Sequence, residues 1–230
     1  MDETKQKLRG GQFAVWLTSE VWPINFTLTA RIRGTFTPDQ FHSALGKLRL
    51  KYPPLSTRVS SESKGSVYLI TDPDLKIPVR IIERSHAESW LAEVTSELDQ
   101  AFDLLNQPPI RLVWLRGEDL SEIIFVCPHA MTDGFSVAYL VRDFLIFLGD
   151  PAAEVQPMPS APAMSESTPN FSGKRMIIWQ SKLKAAFMGF FLRHRTEQGR
   201  QTEAKVDPAR PKYHLSAWSL TAKQTAALVA

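Results

Sequence analysis

Residues 128–134 read Pro128-His129-Ala130-Met131-Thr132-Asp133-Gly134, and they hold most of the chain's candidate chemistry. A neutral imidazole takes a proton near pH 7, so His129 suits a general base acting on a hydroxyl or amine nucleophile. Apolar surroundings would favour its neutral form, because desolvation disfavours charge. Asp133 follows four residues on, near a helix start, where a carboxylate complements the helix dipole. Gly134 permits a tight turn and a close backbone approach. A plainer arrangement uses the same residues: a packed core histidine with Asp133 as a helix cap. The strand–turn–helix setting counts against it, since His129 leaves a buried strand where a sheet would meet a cavity. Cys127 is the only cysteine. It cannot form an internal disulfide, and it sits in an apolar strand where a thiol is inert, so it is not taken as the nucleophile.

The elements that must position His129 follow from periodicity. Residues 110–115 and 123–127 are short apolar runs separated by the polar turn 116–121, which predicts adjacent strands with the second deeply buried. Residues 134–148 are apolar nearly all round, interrupted late by Arg142 and Asp143, which predicts a buried helix. Upstream, residues 25–34 alternate like a half-buried strand. Thr37-Pro38-Asp39-Gln40 then makes a capping box with Pro at the first helical position, and Phe41, Ala44, Leu45 and Leu48 mark one face. Residues 57–60 and 66–71 read as strands around a turn at Lys64-Gly65, residues 77–82 as a third strand, and residues 87–98 as a helix. This alternation alone gives α/β or α+β.

The chain is 43% hydrophobic and 22% charged, which is enough to bury a core without disulfide staples. The N-terminus lacks the apolar stretch of a secretory signal, and no run of 18 apolar residues occurs, so a cytoplasmic location is expected. No zinc cluster, phosphate-binding glycine loop or nucleic-acid motif is evident. The net charge of +3 is unevenly spread, with seven basic side chains against the single Glu197 in residues 171–200. Within that stretch, residues 176–192 mix Trp and Phe with Lys182 and Lys184, and Arg193 follows. They read first as an interlobe helix and second as a helix lying on a membrane surface. Four regions are expected: a lobe over 1–149, a Pro/Ala/Ser-rich linker over 150–172, a basic helix and connector over 173–212, and the start of a truncated second lobe over 213–230. In the last, residues 213–220 read as a strand, and Thr221-Ala222-Lys223-Gln224 is a second capping box that starts a helix.

His129-x-x-x-Asp133-Gly134 resembles the HxxxDG signature of the condensation-domain and chloramphenicol-acetyltransferase superfamily. The surrounding order is similar too. The segment Lys51-Tyr52-Pro53-Pro54-Leu55-Ser56-Thr57-Arg58-Val59 resembles the family's R-H-x-x-L-R-T-R-F, and Pro109-Ile110-Arg111-Leu112 its P-L-x-R strand start. Three departures stand out. Pro128 stands where the family often has the first of two adjacent histidines, Ser56 where an arginine is common, and the resemblance implies a C-terminal lobe of which only the start is expected in residues 213–230.

The resemblance implies a two-layer α/β sandwich, a mixed sheet covered by helices. It implies an acyltransferase of natural-product biosynthesis with no tightly bound cofactor and no metal. The donor would be an acyl thioester, on CoA or on the phosphopantetheine arm of a carrier protein, and the acceptor an alcohol or amine. His129 would be the base. Asp133 would be structural, paired with Arg58 or, second, Arg111. Gly134 would bring its backbone to the tunnel. Thr132 and Ser136 are tunnel-lining candidates, although Ser136 reads first as an ordinary first-turn serine. The isolated half is expected to be inactive, and a docking module of the same fold is the competing reading.

Overall fold

The computed structural model describes residues 5–159, apart from Arg9, Val21 and residues 63–65. The expected basic helix, the second capping box and the turn at Lys64-Gly65 lie outside the described residues. The elements run β1 (Lys5–Lys7), α1 (Gly10–Ser19), β2 (Asn25–Arg33), α2 (Pro38–Lys51), a 3-10 turn (Pro53–Ser56), β3 (Thr57–Glu62), β4 (Ser66–Thr71), β5 (Val79–Glu83), α3 (Ser89–Asp99), β6 (Arg111–Arg116), β7 (Leu120–Pro128) and α4 (Gly134–Gly149).

Local chemistry sets several of these boundaries. The Thr37 hydroxyl accepts from the Gln40 N–H at 3.2 Å, and Gln40 Oε1 accepts from the Thr37 N–H at 2.8 Å. With Pro38 next, this satisfies the orphan donors that open α2. The β6–β7 turn needs Gly117, because a Cβ there would lie 2.4 Å from the Leu120 carbonyl oxygen. Pro128 closes β7 at the level of Asn25, beyond the last residue pairing with β6, so its missing N–H costs that ladder nothing.

β2, β7, β6 and β5 form a four-stranded mixed sheet in that order. Only β5 and β6 are parallel, joined through α3. The two central strands are apolar on both sides. Leu112, Trp114, Ile123, Phe125 and Cys127 meet α2 and α4 through Phe41, Leu48, Val137, Leu140 and Phe144. The alternate residues Val113, Leu115, Ile124 and Val126 meet Val94 of α3. Phe41, Leu48, Phe125 and Phe144 are fully buried, each contributing roughly 1.5–3 kcal/mol of transfer free energy. The expected mixed sheet covered by helices is therefore present, with α2 and α4 on one face and α3 on the other.

A second sheet, β1-β4-β3, is antiparallel. It shares a small core with Phe13 and Trp16 of α1 and with Met131. The start of the expected linker runs back along α2. There the Lys47 ammonium donates to the Pro151 and Ala153 carbonyls, and the Met158 N–H donates to the Lys51 carbonyl at 2.8 Å.

Candidate active site

β7 delivers His129 and α4 begins five residues later. The His129 N–H donates to the Ile24 carbonyl at 2.8 Å, which anchors the backbone to the entry of β2. Its ring meets Phe26 edge-on, with centroids 4.5 Å apart. Nδ1 lies 3.1 Å from the Thr132 carbonyl oxygen. A carbonyl oxygen can only accept, so in the neutral ring this contact requires the proton on Nδ1 and leaves the Nε2 lone pair unprotonated. The ring is exposed, not enclosed by apolar groups, which corrects both the packed-core arrangement and the expected apolar surroundings. The imidazole stands at the surface with its orientation set by backbone.

The turn that supplies the Thr132 carbonyl is tied to one atom. The Pro128 carbonyl oxygen accepts from the Met131 N–H at 3.0 Å, the Thr132 N–H at 3.2 Å and the Thr132 hydroxyl at 3.0 Å. Asp133 then caps α4, its Oδ1 accepting from the Ser136 N–H at 2.8 Å. The Ser136 N–H, helped by its hydroxyl and by nearby His129, holds the Asp133 carboxyl below the usual carboxylate range. Gly134 starts α4 with no positive φ, and a Cβ on it would meet nothing within 4 Å. The turn before α4 therefore does not use a left-handed backbone at Gly134, and the space beside that residue is open. Ser136 is an exposed first-turn residue. Burial pushes the Cys127 thiol up to about 12, consistent with an inert core cysteine.

This strand, turn and capped helix lie within a longer segment matched by a family model. The Condensation domain model covers residues 17–156, which is more than half of the chain. The chain belongs to the condensation-domain family. It is 31% identical over 140 residues to the nonribosomal peptide synthetase kk1B of Curvularia clavata, covering 57% of this chain and 1% of that protein. Among solved structures it is similar to a four-domain nonribosomal peptide synthetase bound to AMP and glycine. That match has a TM-score of 0.59 at 18% identity and covers 78% of this chain and 15% of the other. It is also similar to the starter condensation domain of the rhizomide synthetase RzmA in complex with C8-CoA. There the TM-score is 0.52 at 18% identity, covering 61% of this chain and 34% of the other. The chain thus spans a small part of its curated relative and about a third of the starter domain.

Within this condensation-domain fold, two expected pairings are corrected. Arg58 pairs with Asp72, Nε to Oδ2 at 2.9 Å, and not with Asp133. Arg111 is buried against α3, with Nε 2.5 Å from Glu97 Oε2 and Nη2 donating to the Glu97 and Gln100 carbonyls. Asp133 is instead committed to the helix N-terminus. Ser56, where the resemblance suggests arginine, is buried and accepts at 2.7 Å from Arg49 Nε of α2.

The late polar interruption of α4 also proves structural. Asp143 is 1% exposed, yet it meets Lys51 Nζ and the Tyr52 hydroxyl, each at 2.6 Å, and Arg142 Nη2 at 2.7 Å. Burial alone would raise its pKa, but the hydrogen bonds from Arg142, Lys51 and Tyr52 bring it down to about 2. The helix is not buried all round as expected. Phe135 is 81% exposed, and Tyr139 and Ile146 are about half exposed along the same side. Sequence reasoning also missed α1. Its Gln12 Nε2 donates to Met131 Sδ at 3.8 Å, so that helix borders the His129 turn. Among the described residues, no helix is long and apolar enough to cross a membrane, and no group of three or more His, Cys, Asp or Glu could hold a metal ion.

Proposed function

We propose that this chain is the N-terminal half of an acyltransferase in which His129 is the general base. The observation that carries this reading is the Nδ1 contact to the Thr132 carbonyl, which leaves Nε2 unprotonated on an exposed ring at the junction of β7 and α4. Nε2 takes the proton of an acceptor hydroxyl or amine as its oxygen or nitrogen bonds to the thioester carbonyl carbon. The carbon–sulfur bond then breaks, and the imidazolium returns the proton to the departing thiolate. No acyl-enzyme forms, and the inert Cys127 agrees with that. Asp133 and Gly134 shape the start of α4. In this reading the substrate tunnel is completed by the further lobe, with Ser136 and Thr132 as its candidate lining residues.

The donor is an acyl thioester carried on CoA or on a carrier protein. The synthetase relative favours the carrier, and the C8-CoA bound to the RzmA starter domain favours CoA. A cytoplasmic enzyme fits both donors. The exposed apolar side of α4 and the small share of related chains that is covered favour a site completed by a further lobe. The half alone would then be inactive or serve as a docking module.

The test is thiol release from a panel of acyl-CoAs and acyl-carrier thioesters with small alcohols and amines. It compares the two-lobed protein with its His129→Ala variant. Turnover lost in His129→Ala is the expected result. Turnover unchanged by that substitution removes His129 from the mechanism, and no turnover with either donor class leaves the docking module.

A further inference from the structure

We propose that the Thr132 side chain is a positioning residue that holds His129 in the Nδ1–H tautomer. The inference rests on His129 being the base, and it concerns a hydroxyl that touches no reacting atom. Nothing in the chemistry of an exposed imidazole selects Nδ1 for the proton. The choice is made by whichever hydrogen bond the ring finds. Here that partner is the carbonyl of Thr132 at 3.1 Å, and the same residue's hydroxyl is anchored 3.0 Å from the Pro128 carbonyl.

The bond fixes the side chain of the residue whose carbonyl holds the ring. Phe26 adds a second restraint, its edge contact setting the plane of the imidazole. The plane and the partner together decide which nitrogen faces outward. Without the hydroxyl, the turn retains only the two N–H contacts at 3.0 and 3.2 Å, and the carbonyl of residue 132 is freer to rotate away from Nδ1. Water would then compete for Nδ1, and the ring would populate the tautomer whose Nε2 carries a proton and cannot accept one.

The experiment is long-range ¹H–¹⁵N NMR of the full chain with ¹⁵N-labelled histidine, at a pH where the ring is neutral. His129→Ala identifies the signals. The variants are Thr132→Val, which removes the hydroxyl at constant shape, Thr132→Ala as a second deletion, and Thr132→Ser, which restores it. Nδ1 should be the protonated nitrogen in the parent and in Thr132→Ser. Both deletions should shift population toward Nε2–H.

In the two-lobed protein, the same deletions should lower kcat roughly ten-fold with KM changed less than about two-fold, and Thr132→Ser should restore kcat. Unchanged ring nitrogen shifts in the folded deletion variants overturn the proposal, whatever the activity. The tautomer shift is read without turnover, so it stands apart from the base assignment, which fails if His129→Ala keeps full turnover or if the two-lobed protein turns over neither donor class.

Discussion

The Lys51 ammonium at the end of α2 lies 2.6 Å from the Asp143 carboxylate in the interior of α4. The Tyr52 hydroxyl donates to the same oxygen at 2.6 Å, and its own pKa is pushed up to about 12 by burial and by that carboxylate. α4 begins at the His129 turn, so this contact ties the helix that carries the candidate site to the α2 cover. Asp143→Ala is expected to cost about 3 kcal/mol in urea unfolding, the scale for breaking a buried ion pair.

The same carboxylate gives a pH dependence. Its folded-state value of about 2 lies below the ordinary aspartate value, so the stabilisation is complete at neutral pH and is lost as protonation proceeds. Roughly 2 kcal/mol should disappear between about pH 5 and pH 2. Asp143→Asn should flatten the stability profile in that window. A parent-like slope in this variant would assign the acid sensitivity elsewhere.

Why Asp143 was hidden is instructive. In sequence it is a charge breaking an apolar helix beside Arg142, and its other two partners, Lys51 and Tyr52, lie about 90 residues upstream, where no periodicity points to them. The elements that were legible carry their own local signals. The Thr37–Gln40 box starts α2, unbroken apolar runs mark β6 and β7, and His129 and Asp133 stand at a strand-to-helix junction. By contrast, α1 opens on Gly10 and Gly11 with none of its residues fully buried, so neither a cap nor a clean stripe announces it. The pairing of Arg58 could not be read because a guanidinium's partner is chosen by folding. Asp72 comes within reach only when β3 pairs with β4.

Arg111 closes the C-terminus of α3. Its guanidinium meets the Glu97 carboxylate and two terminal carbonyls, and the Asn25 side-chain amide donates to the Gln100 carbonyl at 2.9 Å. Arg111→Met should destabilise by about 3 kcal/mol, because Glu97 is left buried and loses its main partner. Glu97→Gln, which can keep a hydrogen bond, should cost less. Denaturant midpoints of the two variants decide this, and equal midpoints would contradict it.

Asp133 acts as a helix cap in this geometry. Asp133→Ala should lose about 1 kcal/mol, while Asp133→Asn, which can still accept from the Ser136 N–H, should lose only a few tenths. Turnover of the two-lobed protein should follow the same order. A large loss in Asp133→Asn at unchanged stability would show that the charge itself is used.

Gly134 has open space where a Cβ would go. Gly134→Ala should therefore leave the thermal midpoint unchanged or slightly raised, within about 0.5 kcal/mol, since alanine is the better helix former. If the substrate passes close to that backbone, turnover should fall while stability does not. Parent-like turnover would remove Gly134 from the site.

Arg58 supplies the sharpest comparison between the expected and the observed arrangement. Its Nε–Asp72 contact at 2.9 Å is about a third exposed on both sides, so a double-mutant cycle should give a coupling below about 1 kcal/mol. The cycle pairing Arg58→Ala with Asp133→Ala should give none, because Asp133 is occupied by the Ser136 N–H. Both cycles can be measured by urea unfolding of the same set of variants. Coupling to Asp133 and none to Asp72 would restore the family's expected ion pair and make the Asp72 contact incidental. The opposite result leaves α4 capped without help from β3, and the candidate base then depends on its own turn for its orientation.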